Sequence, residues 1–400
     1  MDRLSLPRLF LPLLACLCCA AFPAAPAQAQ SAPVKSAGAL SDFGDPNLAA
    51  LAARVRKSGS RLVLTQLGDS HTAADFFTGQ LRSELQADHG DGGIGWLPPM
   101  AIPGVLHSRV LLGTQGWKVF DSRTERDVDF PLGGYIARAD GPWTGTLVTP
   151  IDPAKDATGT WQLGLWLRGA PNAVAMTWRD GAEKISPVPA PPRDGRWHRV
   201  TLPVTLPLTL LANDRYSYEV GGMTLERASG AQVDALGSNG TRIGITATWG
   251  ADWLPMLAQR APDIVVLAYG TNEASDWTLD PAQYAAALRD AIAGIRRALP
   301  KAVVLMLGPP DQIGHAGQLD SRCTPAAPVG LQRVHDAQLQ VARDTRVLFW
   351  DWQQAMGGPC SMPRWQASED GAADGIHFTP KGYQRAARLL RKDLKALSGI

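Results

Sequence analysis

The sequence predicts an α/β fold interrupted by an all-β module, and three observations carry the prediction. Apolar runs at Leu62–Leu67, Asp263–Ala268, Ala302–Leu307 and Arg346–Trp350 read as buried strands. They alternate with helical periodicity at Ala282–Ala298, Leu331–Asp344 and Lys381–Leu397, which implies a parallel sheet with helices on both faces. From about Val110 to Arg227 that periodicity is lost. Short runs such as Trp161–Leu167, Ala173–Trp178 and Trp197–Leu202, divided by Gly, Pro and Asp, read there as a β-sandwich.

Composition bounds the possibilities. The chain has 400 residues, 45% hydrophobic and 19% charged, as expected for one large or two medium globular domains. A net charge of +2 gives no footprint for nucleic acid, and no basic block precedes the extreme C-terminus. Thirteen Trp suit either a semi-buried core or sugar binding.

The N-terminus reads as an export signal spanning residues 1–29. Arg3 and Arg8 precede the apolar stretch Leu9–Phe22, which is short for a bilayer, and Ala27-Gln28-Ala29 is a cleavage pattern that starts the mature chain at Gln30. Cys16, Cys18 and Cys19 leave with the signal; a lipid on Cys16 would require Leu14 in a poorly matching position. Cys323 and Cys360 remain, and in an exported protein they are expected to form one disulfide. No second apolar span follows. The expected location is the periplasm, the cell envelope or the medium, and the expected state is a monomer.

In chain order, residues 30–44 read as a linker and Leu48–Val55 as an amphipathic helix. Leu62–Leu67 runs into the small polar turn Gly68-Asp69-Ser70-His71-Thr72. A helix then begins near Thr72 or Ala73, with Phe76, Phe77, Leu81 and Leu85 on one face. Such a strand–turn–helix lifts a serine hydroxyl above the sheet and aims backbone N–H groups at the same place. It is also how an ordinary βα turn with capping Asp, Ser and Thr would read. His89–Trp96 follows as a glycine-rich loop that either lines the site or turns the chain, and Arg179-Asp180-Gly181 marks a hairpin in the β module.

Ligands of open α/β sheets bind beyond the carboxyl ends of the strands. Two further stretches fall there: Tyr269-Gly270-Thr271-Asn272-Glu273 and Asp374-Gly375-Ile376-His377. Asn272 offers an amide N–H to an oxyanion. Asp374, three residues before His377, can orient the imidazole, which can take the Ser70 proton. No nucleotide loop is present, and the remaining histidines lack metal-ligand spacing, so no cofactor and no metal is expected.

These blocks resemble those of SGNH (GDSL-type) hydrolases, over about residues 60–100 and 231–397. The resemblance implies a flavodoxin-like parallel sheet with helices on both faces, divided into 30–109 and 231–400 by a sandwich at 110–230. It also implies a triad of Ser70, Asp374 and His377, and an oxyanion hole from the Ser70 amide, the Asn272 side chain and a glycine amide. Gly240 is favoured for the last, with Gly237 the alternative. Glu273 stands where the family's third block commonly has Asp. The GDSHT turn, the Gly-Asp-Gly-Gly-Ile-Gly-Trp stretch and the inserted module resemble bacterial peptidoglycan O-acetylesterases, whose module is carbohydrate-binding-like. The implied function is an exported serine esterase acting on acetylated glycan, with peptidoglycan first. A glycan O-acetyltransferase, an esterase for another acetylated polysaccharide and a non-catalytic glycan-binding protein are the alternatives.

Overall fold

Seven strands form the larger sheet, in the order Lys35–Ala37, Leu40–Asp42, Leu348–Trp350, Val303–Leu307, Ile264–Ala268, Arg61–Gly68 and Gly230–Gly237. The last five run parallel. Taken in chain order, those five lie 2-1-3-4-5, the flavodoxin-like arrangement. A computed structural model describes Met1, residues 34–57, 59–314 and 319–400. The expected signal segment, its cysteines, the Gln30 start and His315 lie outside the described residues.

Burial on both faces explains why these strands are apolar runs without alternation. Leu62, Leu64, Val266 and Leu305 face a layer containing Phe77, Leu81, Leu390 and Leu394. Leu67, Val265, Leu267, Val304 and Met306 face the opposite layer, with Leu288, Ile292, Ile295 and Val334. Each such side chain contributes about 1.5–3 kcal/mol by leaving water. Among the described residues no helix is long and apolar enough to cross a membrane.

Three local expectations are corrected. The linker read at 30–44 contains the hairpin Lys35–Ala37/Leu40–Asp42, which adds antiparallel strands to the sheet edge through Leu348–Trp350. The single helix expected from Thr72 is two helices, Ser70–Ala73 and Phe76–His89. Between them Asp75 takes φ 54°. Its buried carboxylate accepts bonds from both Arg82 Nη atoms at 2.9 Å and from the Ser108 N–H at 2.9 Å, so tertiary hydrogen bonds hold the break. The glycine-rich stretch is loop only at Gly90–Gly92: Gly93–Leu97 is a buried strand paired with Glu219–Glu226. A Cβ on Gly93 would come within 2.5 Å of the Leu225 carbonyl, and one on Gly95 within 2.8 Å of the Val233 carbonyl. The glycines there serve close packing.

The inserted region builds two antiparallel sheets, one of five strands and one of six that takes in Gly93–Leu97 from before it. Their shared core holds Trp161, Leu163, Leu165, Leu208, Val220 and Leu225. Trp96, Trp166 and Trp197 instead share a core with Leu67, Leu236, Trp249 and Trp253. Pro33–Ile400 is accordingly one compact unit. Of the thirteen tryptophans, Trp143 and Trp277 alone are exposed. Cys323 and Cys360 form a disulfide with their Cα atoms 5.2 Å apart.

Candidate active site

The strand Arg61–Gly68 ends at a helix packed directly against the sheet. Gly68 and Gly237 are register partners on adjacent strands. A Cβ on Gly68 would lie 2.2 Å from Thr72 Oγ1, and one on Gly237 lies 2.3 Å from the Ala73 nitrogen. Two glycines side by side therefore let the Ser70–Ala73 turn settle onto the strand ends. Asp69 caps it, accepting the His71 N–H at 2.9 Å.

Ser70 meets its partner from the far end of the chain. Its Oγ is 2.8 Å from His377 Nε2, and His377 Nδ1 is 2.7 Å from Asp374 Oδ2. Asp374 Oδ1 also accepts the N–H groups of Ile376 and His377, each at 2.9 Å. Desolvation raises the Asp374 carboxyl, but the His377 side-chain bond and these amides outweigh it and hold it at about 2. The carboxylate stays ionised wherever the imidazole can act as a base. The Ala372 N–H donates to the His377 carbonyl at 2.9 Å and fixes the loop.

Ser70 and His377 open onto a cleft of about 530 Å³ that Asn239, Gly240, Asn272 and Tyr383 also line. Ser238–Thr241 forms a β-turn, the Thr241 N–H donating to the Ser238 carbonyl at 3.3 Å. Gly240 occupies its third position with φ 75°, the conformation a type II turn reserves for glycine. Gly240 thus borders the cleft, whereas Gly237 serves packing under the helix. Among the described residues neither the Ser70 N–H nor the Gly240 N–H has an acceptor. Asn272 Nδ2 donates one bond to the Thr241 carbonyl at 2.9 Å. An amide nitrogen carries two protons, so one remains for an oxyanion.

Two neighbours of the motif are structural. His71 is 3% exposed, with Nδ1 2.9 Å from Tyr383 Oη and its ring 5.2 Å from that of His377. Burial, then the nearby His377 charge, lowers its pKa to about 3, so it packs as a neutral ring behind His377 and does not line the cleft. Glu273 is buried and accepts the Ile243 N–H at 2.8 Å, tying the Thr271–Ala274 turn to the following segment. Sequence reasoning missed Tyr383 and Phe76, which wall the cleft. It also missed Tyr135 and Arg123 of the sandwich, which bond to Ser238 and Asn239. Their spacing carries no motif.

Two family models match the chain. "Peptidoglycan O-acetylesterase, N-terminal" matches residues 92–209, and the "GDSL-like Lipase/Acylhydrolase family" matches residues 213–385. Ser70 lies upstream of both. A solved structure titled "Peptidoglycan O-acetylesterase in action" is 34% identical, with a TM-score of 0.79, covering 90% of this chain and 99% of that one. A Bacillus subtilis protein is 13% identical with a TM-score of 0.36, covering 71% of this chain and 90% of that one. A family two carbohydrate esterase from Clostridium thermocellum is 12% identical with a TM-score of 0.32, covering 72% of this chain and 99% of that one. Comparison with curated proteins found no match.

Proposed function

The chain belongs to the peptidoglycan O-acetylesterases among the GDSL-like acylhydrolases, and from that premise we propose that it releases acetate from O-acetylated peptidoglycan through an acetyl-enzyme on Ser70. The observation that carries the mechanism is the continuous chain Ser70–His377–Asp374, with links of 2.8 and 2.7 Å. Ser70 Oγ attacks the acetyl carbonyl while His377 Nε2 takes its proton. Asp374 keeps the proton on Nδ1 and stabilises the imidazolium. The Ser70 and Gly240 amides and the free proton of Asn272 receive the oxyanion. His377 then protonates the departing sugar oxygen. Water, activated by the same imidazole, releases acetate and restores Ser70.

The enzyme works at the cell envelope, where this substrate lies, and the disulfide fits an oxidising compartment such as the periplasm. We read residues 30–109 and 231–400 as the hydrolase and 110–230 as a module that engages glycan, in a monomer. Acetate release from O-acetylated peptidoglycan, compared with acetylated xylan, tests the substrate. Faster release from peptidoglycan is expected. Equal or faster release from xylan overturns the assignment, and acetyl transfer to a sugar in place of acetate release would make the enzyme a transferase.

A further inference from the structure

The sandwich reaches the oxyanion turn with two side chains. Gly230–Gly237 is the last strand of the larger sheet, with Arg61–Gly68 on one flank of the turn that follows it. On that flank the Ser238 N–H donates to the Gly68 carbonyl at 3.1 Å. On the other, Tyr135 Oη lies 2.7 Å from Ser238 Oγ, and Arg123 Nη1 donates to the Asn239 carbonyl at 2.9 Å. Arg123 is itself held by Asp121, Nε and Nη2 reaching Oδ2 at 2.8 and 2.5 Å.

The Asn239 carbonyl and the Gly240 N–H are two ends of one peptide unit. In a trans peptide they point in opposite directions. Type I and type II turns differ by a flip of this central peptide, which reverses both ends and moves φ of the third residue from about −90° to about +80°. Gly240 can adopt either sign without a steric penalty, so its own conformation does not choose. A guanidinium on the Asn239 oxygen selects the flip observed, with Gly240 at φ 75°. A charge-assisted bond to that oxygen also polarises the amide and makes its N–H a stronger donor.

We propose that Arg123 and Tyr135 are positioning residues of the sandwich that set the direction and strength of the Gly240 oxyanion donor. The inference rests on the reading of Ser70 as nucleophile and Gly240 as donor. The module thereby acts on the chemistry as well as on the choice of glycan.

The test uses the full chain with a small acetyl ester, which has no glycan for the module to hold. Arg123 is about one-third exposed, so Arg123→Ala should fold. Its kcat should fall about 10- to 100-fold with KM nearly unchanged, since a displaced oxyanion donor costs transition-state stabilisation alone. A boronic acid that forms a tetrahedral adduct on the serine should bind correspondingly more weakly. Millimolar guanidinium should restore part of the lost kcat, which a generally loosened fold would not show. Tyr135→Phe, which removes one oxygen, should lose less, roughly 2- to 10-fold. If folded Arg123→Ala and Tyr135→Phe both kept kcat within twofold, or lost only KM, the proposal would be overturned. Turnover surviving Ser70→Ala would instead overturn the underlying mechanism.

Discussion

The α/β part and the sandwich place their charges differently. In the first, carboxylates lie inside: Asp234 is fully buried and bonded to Arg260 at 2.7 Å, and Asp69 and Glu273 are 1% exposed under the site. In the second, a row of cross-strand neighbours, Lys118, Arg138, Glu219 and Arg168, runs along the outer face of the six-stranded sheet, while the sandwich interior is mainly apolar. Burying a carboxylate is costly unless it is matched, and where the sandwich buries one, Asp156 at 1% exposed, the Arg109 Nε donates to it at 3.0 Å. Two side chains of the sandwich also touch the oxyanion turn.

The sharpest test of the contrast is Ser70→Ala. The hydroxyl sits on a turn and not in a core, so the variant should fold while ester turnover drops on the order of 10⁴-fold or more, read by acetate release beside circular dichroism. Trp166→Ala attacks the joint between the parts. This ring is buried in the core shared with Leu67 and Leu236, and its loss should cost about 3–5 kcal/mol. One calorimetric transition that shifts as a whole is expected; a second transition left unmoved would make the sandwich a separate folding unit. Asn272→Ala should lower kcat roughly 10²–10³-fold with a small change in KM. A pure KM effect would assign Asn272 to holding substrate.

A smaller effect should appear with pH. Burial, opposed by the bond from the His71 N–H, raises the Asp69 pKa from 3.8 to about 7, so the folded state keeps this proton longer than the unfolded chain. The resulting contribution is complete below about pH 4 and is lost as pH rises through about 7. Asp69→Asn keeps an oxygen for the His71 N–H and should turn the slope of melting temperature against pH upward between about 4 and 7, where the depressed His71 pKa acts with the opposite sign. Glu273, raised first by burial, contributes a slope of the same sign as Asp69. An unchanged slope would show that Asp69 is not the group responsible. The smallest effect belongs to Trp143, the one exposed tryptophan of the sandwich. Trp143→Ala should leave small-ester turnover and stability near parent values and weaken retention on insoluble peptidoglycan. Unaltered retention would count against this ring as a sugar contact.

The sequence shows four of the five parallel strands because each is an apolar run buried on both faces, and the site motifs because Asp374 and His377 are close in the chain. It hides the elements set by distant partners. Gly230–Gly237 carries Gln232 and Asp234, polar for a buried strand until Arg260 is brought against them. The break at Asp75 depends on Arg82 and Ser108, and the strand at Gly93–Leu97 depends on backbones that approach its glycines. The tryptophans of the sandwich read equally well as sugar platforms or core, and burial assigns nearly all of them to core.

The placement of Arg61–Gly68 in the sheet has a further consequence for how the molecule comes to exist. Both its hydrogen-bonded neighbours, Gly230–Gly237 and Ile264–Ala268, lie beyond the inserted sandwich, and Thr65 waits 169 residues for Asp234. Ser70 waits 307 residues for His377. Contacts so distant in sequence make folding slow, because loop closure must precede their gain. During that interval an apolar strand stands with both edges unpaired, the state most prone to join another chain. The nucleophile is thus the first part of the site to be made and among the last to be placed.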